Sequence, residues 1–178
     1  GMVILGPKAI ARLEKYTPER PIPKIFRLSK NGKVNEKLFQ GETINTPSMI
    51  CVEDALDAVS WIEDIGGLDA ARKKCDENLL TLTKGVEESE WADFLVPNER
   101  NRSNTSVCLK IIDPWFLALH DEQQTKIPKL ISELLEKEGV AFDINGYRDA
   151  PPGLRLWTGA TVQNQDIICL LPWLDWAY

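Results

Sequence analysis

The run Gly146-Tyr-Arg-Asp-Ala-Pro-Pro-Gly-Leu-Arg-Leu-Trp-Thr-Gly-Ala-Thr161 holds the residues best suited to chemistry. It sets Arg148 and Arg155 on either side of a Pro-Pro-Gly turn. A guanidinium is planar and permanently charged, so it grips a carboxylate bidentately and a phosphate nearly as well. Arg155 falls in the strand-like run Leu154-Arg155-Leu156-Trp157. Alternation there sends Leu154 and Leu156 to one face and Arg155 and Trp157 to the other. A mid-strand charge needs a partner, and nearby Asp149 or a bound carboxylate would supply one. Two readings stand side by side. One is an anion site, with Arg155 for a carboxylate and Arg148 for a second anion; the other is a structural ion pair at Arg155 with Arg148 solvated.

A second candidate is Gly41-Glu-Thr-Ile-Asn-Thr-Pro-Ser48. Thr46 suits a helix N-cap and Pro47 the first helical position. Structurally, Asn45 and Thr46 then cap a helix. Functionally, the free N–H groups of that helix end, with the Asn and Thr side chains beside them, seat a phosphate. His120, between Leu119 and Asp121 near an expected helix start, suits a capping or surface role. Cys51, Cys75, Cys108 and Cys169 show no CxxC spacing and lie in apolar-patterned segments, so buried free thiols of a cytoplasmic protein are expected. With one histidine and no clustered ligands, no metal site is expected.

The 178 residues fit one domain, or a small domain with part of another. Hydrophobic content of 43% and charged content of 27% are ordinary for a globular protein. The net charge of −6, with no basic block to offset it, argues against nucleic acid or an anionic membrane as partner. No apolar run approaches a membrane span, and no signal peptide is expected.

The elements that must position these residues follow from pattern. Met2–Leu5 reads as a buried strand, followed by a short helix from Lys8 to Tyr16 with Pro7 at its start. Ile25–Leu28 and Lys33–Phe39 are expected to pair across Lys30-Asn-Gly32. Met49, Val52, Leu56, Val59 and Ile62 form a helical stripe that ends at Gly66-Gly67. Leu68, Ala71, Cys75, Leu79, Leu82 and Val86 form a second. Beyond these, strands are expected at Asp93–Val96, Ser106–Ile112, Val140–Ile144 and Gly153–Thr158. Between Asp93–Val96 and Ser106–Ile112, Pro97–Asn104 reads as a polar loop with Arg100 and Arg102. One helix is expected over Ile127–Lys137, with Pro128 in its first turn, and another over Gln165–Trp176, interrupted or kinked at Pro172. Trp173 and Trp176 read as packing anchors. The result is an α+β layer, an antiparallel or mixed sheet with helices on one face.

Taken together, Gly41–Met49, Arg102-Ser-Asn-Thr-Ser-Val-Cys-Leu109 and Gly146–Trp157 resemble phosphoserine aminotransferase, most closely the branch found in alphaproteobacteria and some methanogens. The likeness covers essentially the whole chain but only the C-terminal half of that enzyme. It implies the aspartate-aminotransferase-like, type I fold of pyridoxal phosphate enzymes. On that fold, residues 1–48 are a remnant of the large cofactor-binding domain, 49–90 connecting helices, and 91–178 the small domain. It also implies a homodimer that exchanges an amino group between 3-phosphohydroxypyruvate with glutamate and phosphoserine with 2-oxoglutarate in serine biosynthesis. By the same likeness Arg155 clamps the substrate carboxylate. Tyr147 and Arg148 match a His-Arg pair that helps hold the substrate phosphate, with tyrosine in place of histidine. Asn45 and Thr46 reach the cofactor phosphate of the neighbouring subunit. The family's Schiff-base lysine lies before the strand matched by Met2–Leu5, and none of the lysines present, Lys8 included, matches it. The resemblance therefore implies a chain with no catalytic residue of its own, binding no cofactor and inactive alone, its other half lost or carried by a separate polypeptide. Two alternatives are a non-catalytic module binding a phosphorylated or carboxylated metabolite, and a dimerising structural fragment.

Overall fold

Pro7 begins the first helix, α1 (Pro7–Lys15), where its missing N–H costs nothing. The structure is a computed structural model and describes residues 3–178. The chain divides into two units, residues 1–59 and 60–178. In the first, β1 (Ser29–Lys30) and β2 (Lys33–Val34) form an antiparallel hairpin with Ser29 opposite Val34. Asn31 and Gly32 both take positive φ, 53° and 75°, the two-residue turn whose twist matches the strands it joins. The hairpin is shorter than expected. Lys24–Phe26 and Glu36–Phe39 coil into single 3-10 turns instead of extending it. Val3–Leu5 form no strand, and Met2 lies outside the described residues. A strand exists only by pairing, and among the described residues of the first unit there is no sheet beyond this hairpin.

Helix α2 (Met49–Asp64) begins after Ser48, whose carbonyl accepts from Val52 N–H at 3.2 Å. Thr46 is therefore not its N-cap and Pro47 is not its first residue. Proline pushes the residue before it toward extended backbone, and Ser48, itself a favoured cap residue, closes the first turn. The expected apolar stripe is present but uncovered: Met49, Leu56 and Val59 are each more than half exposed.

In the second unit the core is built. Gly66 (φ 107°) ends the preceding turn, and α3 (Gly67–Glu88) buries Ala71, Cys75, Asn78, Leu82 and Val86 along one face, while Leu68 stays exposed. Strands β3 (Ala92–Phe94), β4 (Ser106–Ile111) and β5 (Gly153–Trp157) form an antiparallel sheet in that order. Helix α4 (Pro114–Leu117) is capped by Asp113, whose Oδ1 accepts from Trp115 N–H at 2.6 Å. The sheet's inward residues, among them Phe94, Val107, Leu109, Leu154 and Leu156, meet Leu82, Ile131, Leu135, Ile167 and Leu174 from α3, α5 (Asp121–Lys137) and α6 (Asn164–Ala177). This is the expected α+β layer, with a wholly antiparallel sheet.

Helix α5 starts at Asp121, well before Ile127, so Pro128 sits inside it. Asp121 and Glu122 favour the positive helix end, and Gln123 Oε1 accepts from the N-cap His120 N–H at 3.4 Å. Helix α6 runs uninterrupted through Pro172. The expected strand at Val140–Ile144 is absent. Ala141 and Ile144 are buried while Phe142 and Asp143 turn outward, and Asp143 takes φ 53°, outside the range of regular strand backbone. Trp173 and Trp176 pack edge to face, ring centres 5.3 Å apart, on the surface and not in the core. Of the thiols, only Cys75 is buried; Cys51 and Cys169 are exposed. Among the described residues no helix is long and apolar enough to cross a membrane, and no acid, histidine and cysteine cluster could hold a metal.

One polar group lies at the centre of this unit. Asn78 is 1% exposed, and its Nδ2 donates to the carbonyls of Thr158 (3.1 Å) and Val162 (3.0 Å). Its Oδ1 accepts from Asn164 Nδ2 at 3.3 Å. An Asn78→Ala change strands these buried partners and is expected to cost about 3 kcal/mol, read as a fall in the urea-unfolding midpoint with an unchanged slope.

Candidate functional site

Strand alternation places Asp93, Ser106, Cys108, Lys110, Arg155 and Trp157 on the sheet face away from the helices. Arg155 is the cross-strand partner of Cys108, and Trp157 of Ser106. The Arg155 side chain is only 25% exposed. It lines a cleft of about 280 Å³ with Ser106, Phe142, Asp143, Ile144 and Trp157. Its guanidinium lies over the Tyr147 ring, 4.4 Å from the centroid, and Nη2 reaches Asp143 Oδ2 at 3.4 Å. The sequence offered Asp149 or a bound carboxylate as the partner; within the chain the structure gives Asp143 in place of Asp149. Asp149 is exposed in the turn closed by Ala150 N–H to Tyr147 O, whereas the left-handed backbone at Asp143 turns its carboxylate toward the arginine.

Trp157 is held in place as the cleft's aromatic wall. Its Nε1 donates to Thr161 Oγ1 at 3.0 Å, and its ring lies so close to Gly159 that a Cβ there would collide with the indole. The structure thus brings Tyr147 and Arg155 together. Arg148 is exposed and has no ion-pair partner among the described residues. Sequence reasoning missed Asp143 and Phe142, because their orientation depends on a backbone reversal that no residue pattern announces.

The other charges on this face are paired. Lys110 Nζ lies 3.1 Å from Asp93 Oδ2. Burial alone would raise the Asp93 carboxyl, but Lys110, the Phe94 N–H and Arg102 outweigh it and hold the group below its ordinary value. Arg102, in the loop after β3, donates from Nε to Val96 O (2.9 Å) and from Nη2 to Pro97 O (3.1 Å), and covers the Phe94 ring. It is a loop clasp, and Arg155 is the cation of the two that faces a cleft.

In the first unit, Asn45 and Thr46 are exposed on the rim of a hollow of about 900 Å³, also lined by Lys24, Arg27, Lys30 and Glu42. Neither residue belongs to a helix end, so the helix-dipole argument for a phosphate there falls away. What remains is an amide, a hydroxyl and nearby cations, with Arg27 Nε engaged by Ile22 O at 2.9 Å.

Comparison with known proteins gives this geometry a context. The chain is 48% identical over all 178 residues to a phosphoserine aminotransferase of Methanosarcina barkeri and 47% identical to one of Methanosarcina mazei. The chain matches the C-terminal part of phosphoserine aminotransferase. It spans 45% of the length of those relatives. The phosphoserine aminotransferase from Bacillus circulans subsp. alkalophilus shares its fold, with a TM-score of 0.61 and 18% identity over 75% of this chain and 33% of that one. A phosphoserine aminotransferase studied for radiation damage of its Schiff base superposes with a TM-score of 0.63 and 18% identity over 81% of this chain and 37% of its own. No protein-family model matches the chain.

The Asp93–Lys110 pair gives a measurable signature. Asp93 is expected to titrate below ordinary aspartates in a carboxyl NMR titration and to move upward in Lys110→Met. Because its folded value is depressed, the stability it adds is present above the usual aspartate range, about 4, and is lost as pH falls through the folded value.

Proposed function

We propose that this chain supplies the substrate-gripping part of a phosphoserine aminotransferase, serving amino-group exchange between glutamate and 3-phosphohydroxypyruvate. The observation behind this reading is Arg155: a mostly shielded guanidinium on a rigid strand, facing a cleft walled by Trp157. Strand placement and the Tyr147 ring restrict its motion, so a carboxylate meets a preorganised fork. Arg148, exposed in the adjoining turn, takes the role of second cation for the substrate phosphate, with Tyr147 as the packing surface between the two functions. The relatives are more than twice as long as this chain, and the activity is proposed for a protein of that length.

The cofactor of this reading is pyridoxal phosphate, which when bound supplies the electron sink for amino-group transfer. Asn45 and Thr46 fit its phosphate: both are exposed, both carry donors, and Lys24 and Lys30 line the same hollow. Their exposure suits a phosphate held by a neighbouring subunit. The uncovered stripe of Met49, Leu56 and Val59 supports burial against a second polypeptide, in this reading a homodimer. The free thiols accord with a cytoplasmic setting.

Calorimetric titration with phosphoserine tests the assignment. The chain is expected to bind it. Arg155→Ala should weaken binding at least about tenfold, roughly 1.4 kcal/mol, and Arg155→Lys should recover only part of that, because an ammonium cannot fork. Arg148→Ala should narrow the preference for phosphoserine over serine. Equal binding by wild type and Arg155→Ala removes the proposal.

A further inference from the structure

Asp143 has a backbone conformation that needs an explanation. It and Asn31 are the non-glycine residues with positive φ among those described, and Asn31 is accounted for by its hairpin. Asp143 belongs to no regular turn of a sheet. It is fixed from both sides: Ala141 and Ile144 are buried, Ile144 O accepts from Arg155 N–H at 2.7 Å, and Asn145 bridges to Leu154. The segment is therefore anchored to β5 beside the arginine, and the left-handed residue turns one carboxylate outward against it. Aspartate tolerates this region better than most residues, yet the conformation is still uncommon, and such positions gather at functional sites.

The ion pair that results is poorly made for stability. Its single contact is 3.4 Å, and the Asp143 side chain is 90% exposed. Exposed pairs of this kind contribute little to folding. They are also easily exchanged. A ligand carboxylate that offers two parallel bonds to the guanidinium has the advantage over one long contact. An anion offering one weak bond has none, and it meets the negative charge of Asp143 besides.

We infer that Asp143 is the resident counter-ion of Arg155, a specificity-determining residue that a ligand carboxylate must displace to enter the cleft. The inference rests on the reading of Arg155 as the carboxylate clamp. The Tyr147 ring covers the face of the guanidinium, which leaves its edge for the exchange.

The test titrates 2-oxoglutarate into the full chain by calorimetry at low and high salt. Asn at position 143 keeps the size and the tolerance of positive φ and removes only the charge. Asp143→Asn should bind about two- to fivefold more tightly than wild type at low salt, the range of an exposed ion pair, and the gain should shrink as salt rises. Asp143→Gly, which also accepts the backbone angle, should show the same gain and serves if the Asn variant loses its circular dichroism spectrum. Binding by Asp143→Asn alone, with none measurable in wild type, also supports the inference. Arg155-dependent binding that is unchanged or weaker in both Asp143 variants overturns it and leaves the clamp reading standing. Absence of binding in wild type and both variants overturns the clamp reading and this inference together.

Discussion

The second unit depends on the buried amide of Asn78. A helix and the end of a strand have unpaired carbonyls where they turn, and these must find donors or water. Asn78 provides them from the middle of α3's buried face, to Thr158 and Val162 in the connection between β5 and α6. Thr158 is itself fully buried; its N–H donates to Thr105 O and its hydroxyl to Asn104 O. The end of β5 is thus tied to the start of β4 on one side and to α3 on the other. Gly159 and Thr161, which fix the Trp157 ring, lie in the same connection. The connection that positions the Trp157 wall of the Arg155 cleft is thus the one that Asn78 holds from the helix side.

Charge on the outer sheet face follows a simple division. Lys110 and Asp93 are cross-strand partners and neutralise each other directly. Arg102 is turned onto its own loop and the Phe94 ring. Arg155 differs in having a long, exposed carboxylate contact at its edge and an aromatic ring on its face. A guanidinium so placed has one face covered by the ring, and its carboxylate partner is itself solvent-exposed. The first unit contrasts with this: its helices and hairpin bury no side chain fully among the described residues, and the apolar stripe of α2 lies open.

Much of this was legible in the residues. Alternation around Arg155 separated the leucines from the arginine because a strand has a fixed period, and the Asn-Gly turn was legible because few residues accept two positive φ values in succession. Where the reading went astray, a competing local preference won. Thr46-Pro47 looked like a helix start, but Ser48 was the better cap. Ile127 looked like one because of its apolar period, whereas Asp121 and Glu122 set the start by charge. Val140–Ile144 looked like a strand by composition, and the burial of Ala141 and Ile144, three apart, bent it out of any strand period.

By itself the sequence determined which residues are apolar and at what spacing, and therefore the α+β layer, the inward leucines and the outward arginine. It did so because helix and strand periods are properties of the backbone alone. Only the tertiary structure decided which carboxylate faces Arg155. Asp143 and Asp149 are both near in sequence, and the choice between them turns on one left-handed residue held by burial of its neighbours. That constraint comes from packing against β5 and has no signature in the order of amino acids.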